Sequence, residues 1–188
     1  MARILASFFT VFMLAGTILN AQDRQNNQIG VVAVTECCAE EWKKVVEVTK
    51  EDYPHLTRVW LFALAFQTEK PVSYVENNCI EIGPETILCR LYITGTLQTI
   101  LMPEEFLGVI AHEVGHIANK DFENENPEKR SLSIEKRADL FAFITLRRLN
   151  VSPAVILSAL EKLTSKEDAN AQKEKDHRIK ALKKLLIR

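Results

Sequence analysis

Within the stretch PEEFLGVIAHEVGHIANKD, His112 and His116 stand four positions apart, with Glu113 directly after the first. On a helix that spacing puts both imidazoles on one face, one turn from each other. Two neutral imidazoles so placed can share a metal ion, and the Glu113 carboxylate can then take a proton from a water activated there. Carried as purely structural residues, they would bury two imidazoles and an acid among Phe106, Leu107, Val109, Ile110, Val114 and Ile117. Apolar neighbours cannot offset that cost. Gly115 inside the motif costs a helix roughly 1 kcal/mol relative to alanine, which points to something close by that needs the room.

The elements that must position this group can be read around it. Pro103 followed by Glu104 and Glu105 marks a helix start, since proline has no N–H to lose there and acids suit the positive end of the helix dipole. Further on, SIEKRADLFAFITLRRL reads as a second helix, capped by Ser131 or Ser133 and ending near Asn150, ahead of Pro153. Its apolar side is expected from Leu140, Phe143, Ile144 and Leu146. Glu135 and Asp139 share one face of it, and the intervening segment is long enough for this helix to return against the first. Glu135 is then the expected third ligand, because two histidines, a glutamate and an open fourth position form a known catalytic zinc shell. Asp139, one turn on, is placed to orient a ligand imidazole.

HEVGHIANKD followed by EKRAD resembles the gluzincin metallopeptidases, and within them the family of the CAAX prenyl protease and the bacterial HtpX-like proteases. The likeness covers roughly residues 59 to 188 and rests on the pairing of HExxH with a downstream ExxAD. It implies one zinc ion per chain, held by His112, His116 and Glu135, with Glu113 as catalytic base and Asp139 supporting the ligands. A late Arg-Ile of the family fits Arg178-Ile179 in DHRIKAL, without the His-Pro pair that often precedes it. His177 stands beside the arginine instead, and the resemblance leaves these two a transition-state or structural role. The implied activity is zinc-dependent hydrolysis of peptide bonds in a peptide or unfolded protein. The alternative reading keeps the metal without turnover, as an exported binding or chaperone-like module.

The chain has 188 residues, 47% of them apolar, which suits a single domain with a proper core. A formal net charge of −1 gives no reason to expect nucleic acid or an anionic membrane surface as partner. Residues 1–21 read as a secretory signal peptide: Arg3, an apolar run, then Leu19-Asn20-Ala21 at the cleavage position. The mature domain would span 22–188, with the zinc core at about 59–150 and C-terminal helices over 152–188. The rival is an uncleaved anchor over residues 4–22, the one route to a membrane that this reading allows. The protein is therefore expected in a periplasm or outside the cell. Export makes disulfides expected among Cys37, Cys38, Cys79 and Cys89. A Cys37–Cys38 bond is disfavoured on geometry, which leaves two pairings that tie the first helix to the Cys79–Cys89 region.

The expected fold is α+β. A helix after Thr35 buries Trp42, Val45, Val46 and Val48. RVWLFALAF, then PVSYVENNCIEIG with a polar turn at Glu76-Asn77-Asn78, then TILCRLYITGTL supply strands of a small, mainly antiparallel sheet. The last of these alternates as a sheet edge does, and the resemblance to gluzincins implies that this strand, just before the active-site helix, lines the cleft and pairs with extended substrate. PAVILSALEKLT behind Ser152, and the basic amphipathic HRIKALKKLLI, complete the helices.

Overall fold

In a computed structural model of the chain, the residues described are 31–33, 38–66, 73–82, 86–123, 132–163 and 169–187. The expected signal peptide or anchor, the Thr35 cap, Cys37 and Ser131 lie outside them. Among the described residues no helix is long and apolar enough to cross a membrane.

Strand β1 (Val31–Ala33) is followed by helix α1 (Ala39–Thr49) and a 3-10 turn (Pro54–Arg58). Strands β2 (Val59–Phe66), β3 (Ser73–Glu81) and β4 (Ile87–Thr94) come next, then helices α2 (Gly95–Ile100) and α3 (Pro103–Ala118). A 3-10 turn (Asp121–Glu123) leads to α4 (Leu132–Arg148), α5 (Ala154–Leu163) and α6 (Ala169–Leu186).

The mix of helices and a small sheet agrees with an α+β reading, but the sheet is not mainly antiparallel. Its order is β1-β2-β4-β3; β1–β2 and β2–β4 are parallel, and only β3–β4 is antiparallel. A crossover through α1 makes the first parallel pair geometrically available. The unbroken apolar run VWLFALAF, with no polar alternation, is the pattern typical of strands in parallel pairing. β4 is therefore central rather than an edge, paired with β2 over Val59–Phe66 and with β3 on its other side. Glu76-Asn77-Asn78 form no turn either; they sit within β3, where the register shifts between Glu76 and Ile80. Gly95, Thr96 and Leu97, expected as strand, open α2.

Along β4, Ile87, Cys89, Leu91 and Ile93 are buried while Arg90 is exposed, so one face of the sheet meets the core. Trp42, Val45 and Val46 of α1 enter the same core, with Val48 half-buried at its margin. Helix α3 is buried over most of its circumference and packs on α4, α5 and α1. On α4, Phe143 and Leu146 are buried as expected, joined by Ala138, Phe141 and Ala142. Leu140 and Ile144 face solvent instead, at 43% and 44% exposure. Ser133 lies inside α4 rather than capping it.

Cys79 and Cys89 form a disulfide. They face each other across the β3–β4 pair, next to Ile80–Leu88 in the register. Neither pairing to the first helix is made, and Cys38 is a fully buried thiol in the core. Cys79 and Cys89 stand opposite each other on adjacent strands, so their bond to each other excludes both pairings to the first helix.

The start of α3 is anchored by Glu105, which is 5% exposed. Its Oε2 accepts the Met102 N–H at 2.7 Å, as an N3 acid does in a capping box, and a hydrogen bond from Lys162 Nζ at 2.6 Å. Its Oε1 accepts the Ser158 hydroxyl, so one carboxylate joins α3 to α5. Burial raises the Glu105 pKa, but the bonds from Lys162, Ser158 and Met102 outweigh it and bring it below the ordinary 4.5. A carboxyl depressed in the folded state stabilises fully above its unfolded pKa, and that contribution fades as the pH falls through the folded value. Glu105→Gln should therefore destabilise the protein by about 1–3 kcal/mol at pH 7. Urea denaturation should show the gap to wild type narrowing below pH 4.5. An equal gap at pH 7 and pH 3 would sink this account.

Candidate metal centre

Helices α3 and α4 cross closely at the motif. A Cβ on Gly115 would lie 3.0 Å from Ala138 Cα and 3.1 Å from its carbonyl oxygen, so the glycine is what lets the two backbones approach. The close approach brings Glu135 over the two histidines. His112 Nε2 and His116 Nε2 are 3.1 Å apart. Glu135 Oε2 lies 3.4 Å from the first, and its Oε1 3.6 Å from the second. These three residues form a group that can hold one metal ion.

The chemistry of the donors fits such an ion. Asp139 Oδ1 lies 3.0 Å from His112 Nδ1, and Asp121 Oδ2 lies 3.0 Å from His116 Nδ1. A carboxylate can only accept, so each Nδ1 donates to its aspartate, and a neutral imidazole so held turns its Nε2 lone pair toward the centre. Three lone-pair donors thus converge with no hydrogen among them in the neutral-imidazole state, an arrangement that a cation resolves.

Charge points the same way. Arg178 reaches in from α6 and grips Asp139 with both ends of its fork, Nε to Oδ2 at 2.8 Å and Nη2 to Oδ1 at 2.7 Å. Its Nη1 lies 3.0 Å from Glu135 Oε2. Arg137 on α4 donates to Asp121 Oδ1 at 2.6 Å. Glu113 is 5% exposed and its Oε2 has no hydrogen-bond partner. The carboxylates of Asp121, Glu135 and Asp139 thus meet two guanidiniums in these contacts, and the Glu113 carboxylate lies within the field of Arg178.

The ionisation of the group reflects this field. Burial by itself would lower the His112 pKa, but the hydrogen bonds to Asp139 and Glu135 outweigh it and hold it at about 9. Surroundings that favour a proton so strongly also favour a metal cation in its place. Burial would raise Glu135, yet the His112 bond and the charges of His112 and Arg178 bring it to about 2. Asp139 is likewise opposed by burial and is held far below the usual carboxylate range by Arg178 and His112.

The structure thus brings together His112, Glu113, His116, Glu135, Asp139 and Arg178. His177 is left out: it faces solvent on α6. Arg178 is engaged with two carboxylates of the group, those of Glu135 and Asp139. Asp121 escaped the sequence reading, although His116 needed an acceptor for its second nitrogen and an aspartate follows within the next turn. It becomes visible only once Lys120, at φ 55, is seen to turn the chain back beneath the helix end. Comparison with known proteins returns no matching family model, and no curated protein or solved structure matches the chain.

Proposed function

We propose that this protein is an exported zinc metalloendopeptidase of the gluzincin type, acting on extended or unfolded polypeptide. The observation that carries the reading is the convergence of His112 Nε2, His116 Nε2 and a Glu135 carboxylate oxygen, with the buried, unpartnered Glu113 next in sequence to the first ligand. A set of two histidines, one glutamate and an open position suits zinc in hydrolytic sites, whereas a structural site closes its fourth position with protein. Zinc, when bound, supplies Lewis acidity that polarises a carbonyl and acidifies a water.

The chain's own residues do the rest. His112 and His116 offer Nε2 because Asp139 and Asp121 hold their Nδ1 protons. Glu113 accepts a proton from the attacking water at Oε2 and hands it to the leaving amine. β3 pairs only with β4 among the described strands, so one of its sides is a sheet edge, and it lies against α3 and the Asp121–Glu123 turn. An extended peptide adding to that edge would run beside the metal centre, which replaces β4 as the strand suited to substrate. The Cys79–Cys89 bond accords with an oxidising compartment.

The test is elemental analysis of the purified protein together with casein hydrolysis. About one zinc per chain is expected, with cleavage lost on treatment with a chelator and restored by zinc. Wild-type protein without zinc would overturn the reading. Zinc-loaded protein that cleaves no unstructured polypeptide would leave a metal-binding module.

A further inference from the structure

We propose that Asp121 and Arg137 form a second positioning relay for the metal centre, acting through His116; the inference rests on the zinc reading above. The first relay is His112–Asp139–Arg178, in which an aspartate holds the ligand's Nδ1 proton and an arginine holds the aspartate. The same three residue types repeat on the other histidine. Asp121 Oδ2 accepts from His116 Nδ1 at 3.0 Å, and Asp121 Oδ1 accepts from Arg137 Nη2 at 2.6 Å.

The repeat is built from different parts of the chain. Asp139 belongs to α4 and its arginine to α6, whereas Asp121 belongs to the turn after α3 and its arginine to α4. Arg137 is two positions from Glu135, on the same helix. One carboxylate therefore touches both helices that carry ligands, and it fixes the His116 ring in the plane and tautomer that present Nε2 to the centre. The Asp121 side chain is 4% exposed, so its bond to His116 is shielded from water. Arg137 is 52% exposed, against 16% for Arg178. The weight of this relay should consequently rest on the aspartate, with the arginine adding a minor, solvent-screened part.

Zinc affinity measured by competition with a fluorescent chelator tests the relay, alongside the visible spectrum of the cobalt-substituted protein and thermal unfolding of the metal-free protein. Asp121→Ala should weaken zinc about 10–100-fold and alter the cobalt bands. Asp121→Asn, which keeps an acceptor oxygen for His116, should recover most of that loss. Arg137→Met, at an exposed position where folding is not at stake, should cost about 2–5-fold. A merely structural aspartate would lower the melting temperature of the metal-free protein while the folded fraction bound zinc as wild type does, and that result overturns the relay. Unchanged affinity in Asp121→Ala, with wild type binding zinc, overturns it alone; a wild type that binds no zinc overturns the function with it.

Discussion

Glu113→Gln should stop peptide hydrolysis while leaving the metal in place. The side chain is 5% exposed, and its Oε2 is one of the few buried polar atoms among the described residues with no hydrogen-bond partner. A buried carboxylate oxygen without a donor is costly for the fold alone, so a role in chemistry is the economical account of it. Glutamine preserves length and shape and leaves His112, His116 and Glu135 untouched, but its amide cannot take a proton from water. Loss of a general base lowers turnover by roughly 10²–10⁴-fold. Glu135→Ala makes the informative contrast, because it removes one of the three donors within reach of a common ion. Its metal content and its activity should fall together, and stability with them where metal binding supports the fold. Elemental analysis and casein cleavage on both variants separate the two roles. Full activity in Glu113→Gln would end the peptidase reading while leaving the metal centre standing.

How much of this was legible depends on whether a residue's role was set within one helix or between elements. His112, Glu113 and His116 are one turn of α3, and Glu135 and Asp139 one turn of α4, so the helical period alone gives their faces. Gly115 announced a close neighbour, and Ala138 proved to be that neighbour. Asp121 depended on where α3 stops and how Lys120 turns the chain, which no periodicity carries. Strand order was equally out of reach. Three strands in succession suggest a mainly antiparallel sheet, yet β4 inserts between β2 and β3, and only the apolar continuity of β2 hinted at parallel pairing. α6 was read from its basic amphipathic end, whereas it begins at Ala169, because the polar residues before His177 are good helix formers with little face to bury. The late arginine could be matched to a motif, but its grip on Asp139 required knowing that α6 packs on α4.

That grip sets the other large expectation: Arg178→Met should destabilise the metal-free protein far more than the zinc-loaded one. Arg178 is 16% exposed and faces Asp139 at 2.7 Å and Glu135 at 3.0 Å, with Glu113 within its field. Burial would lower its pKa, but Asp139 and Glu135 more than compensate, so it stays charged. Replacing it with methionine keeps much of the apolar stem and leaves these carboxylates without the guanidinium. Breaking a buried pair in this way typically costs about 3–5 kcal/mol. Zinc offsets part of that loss, since a divalent ion restores positive charge beside Glu135 and the two ligand imidazoles. Chemical denaturation in chelator and in saturating zinc measures the two losses separately. Arg178→Lys should recover only part of the difference, because a single ammonium cannot match the two-pronged contact with Asp139. Equal losses with and without zinc would show that the guanidinium and the metal do not share the task of neutralising this cluster.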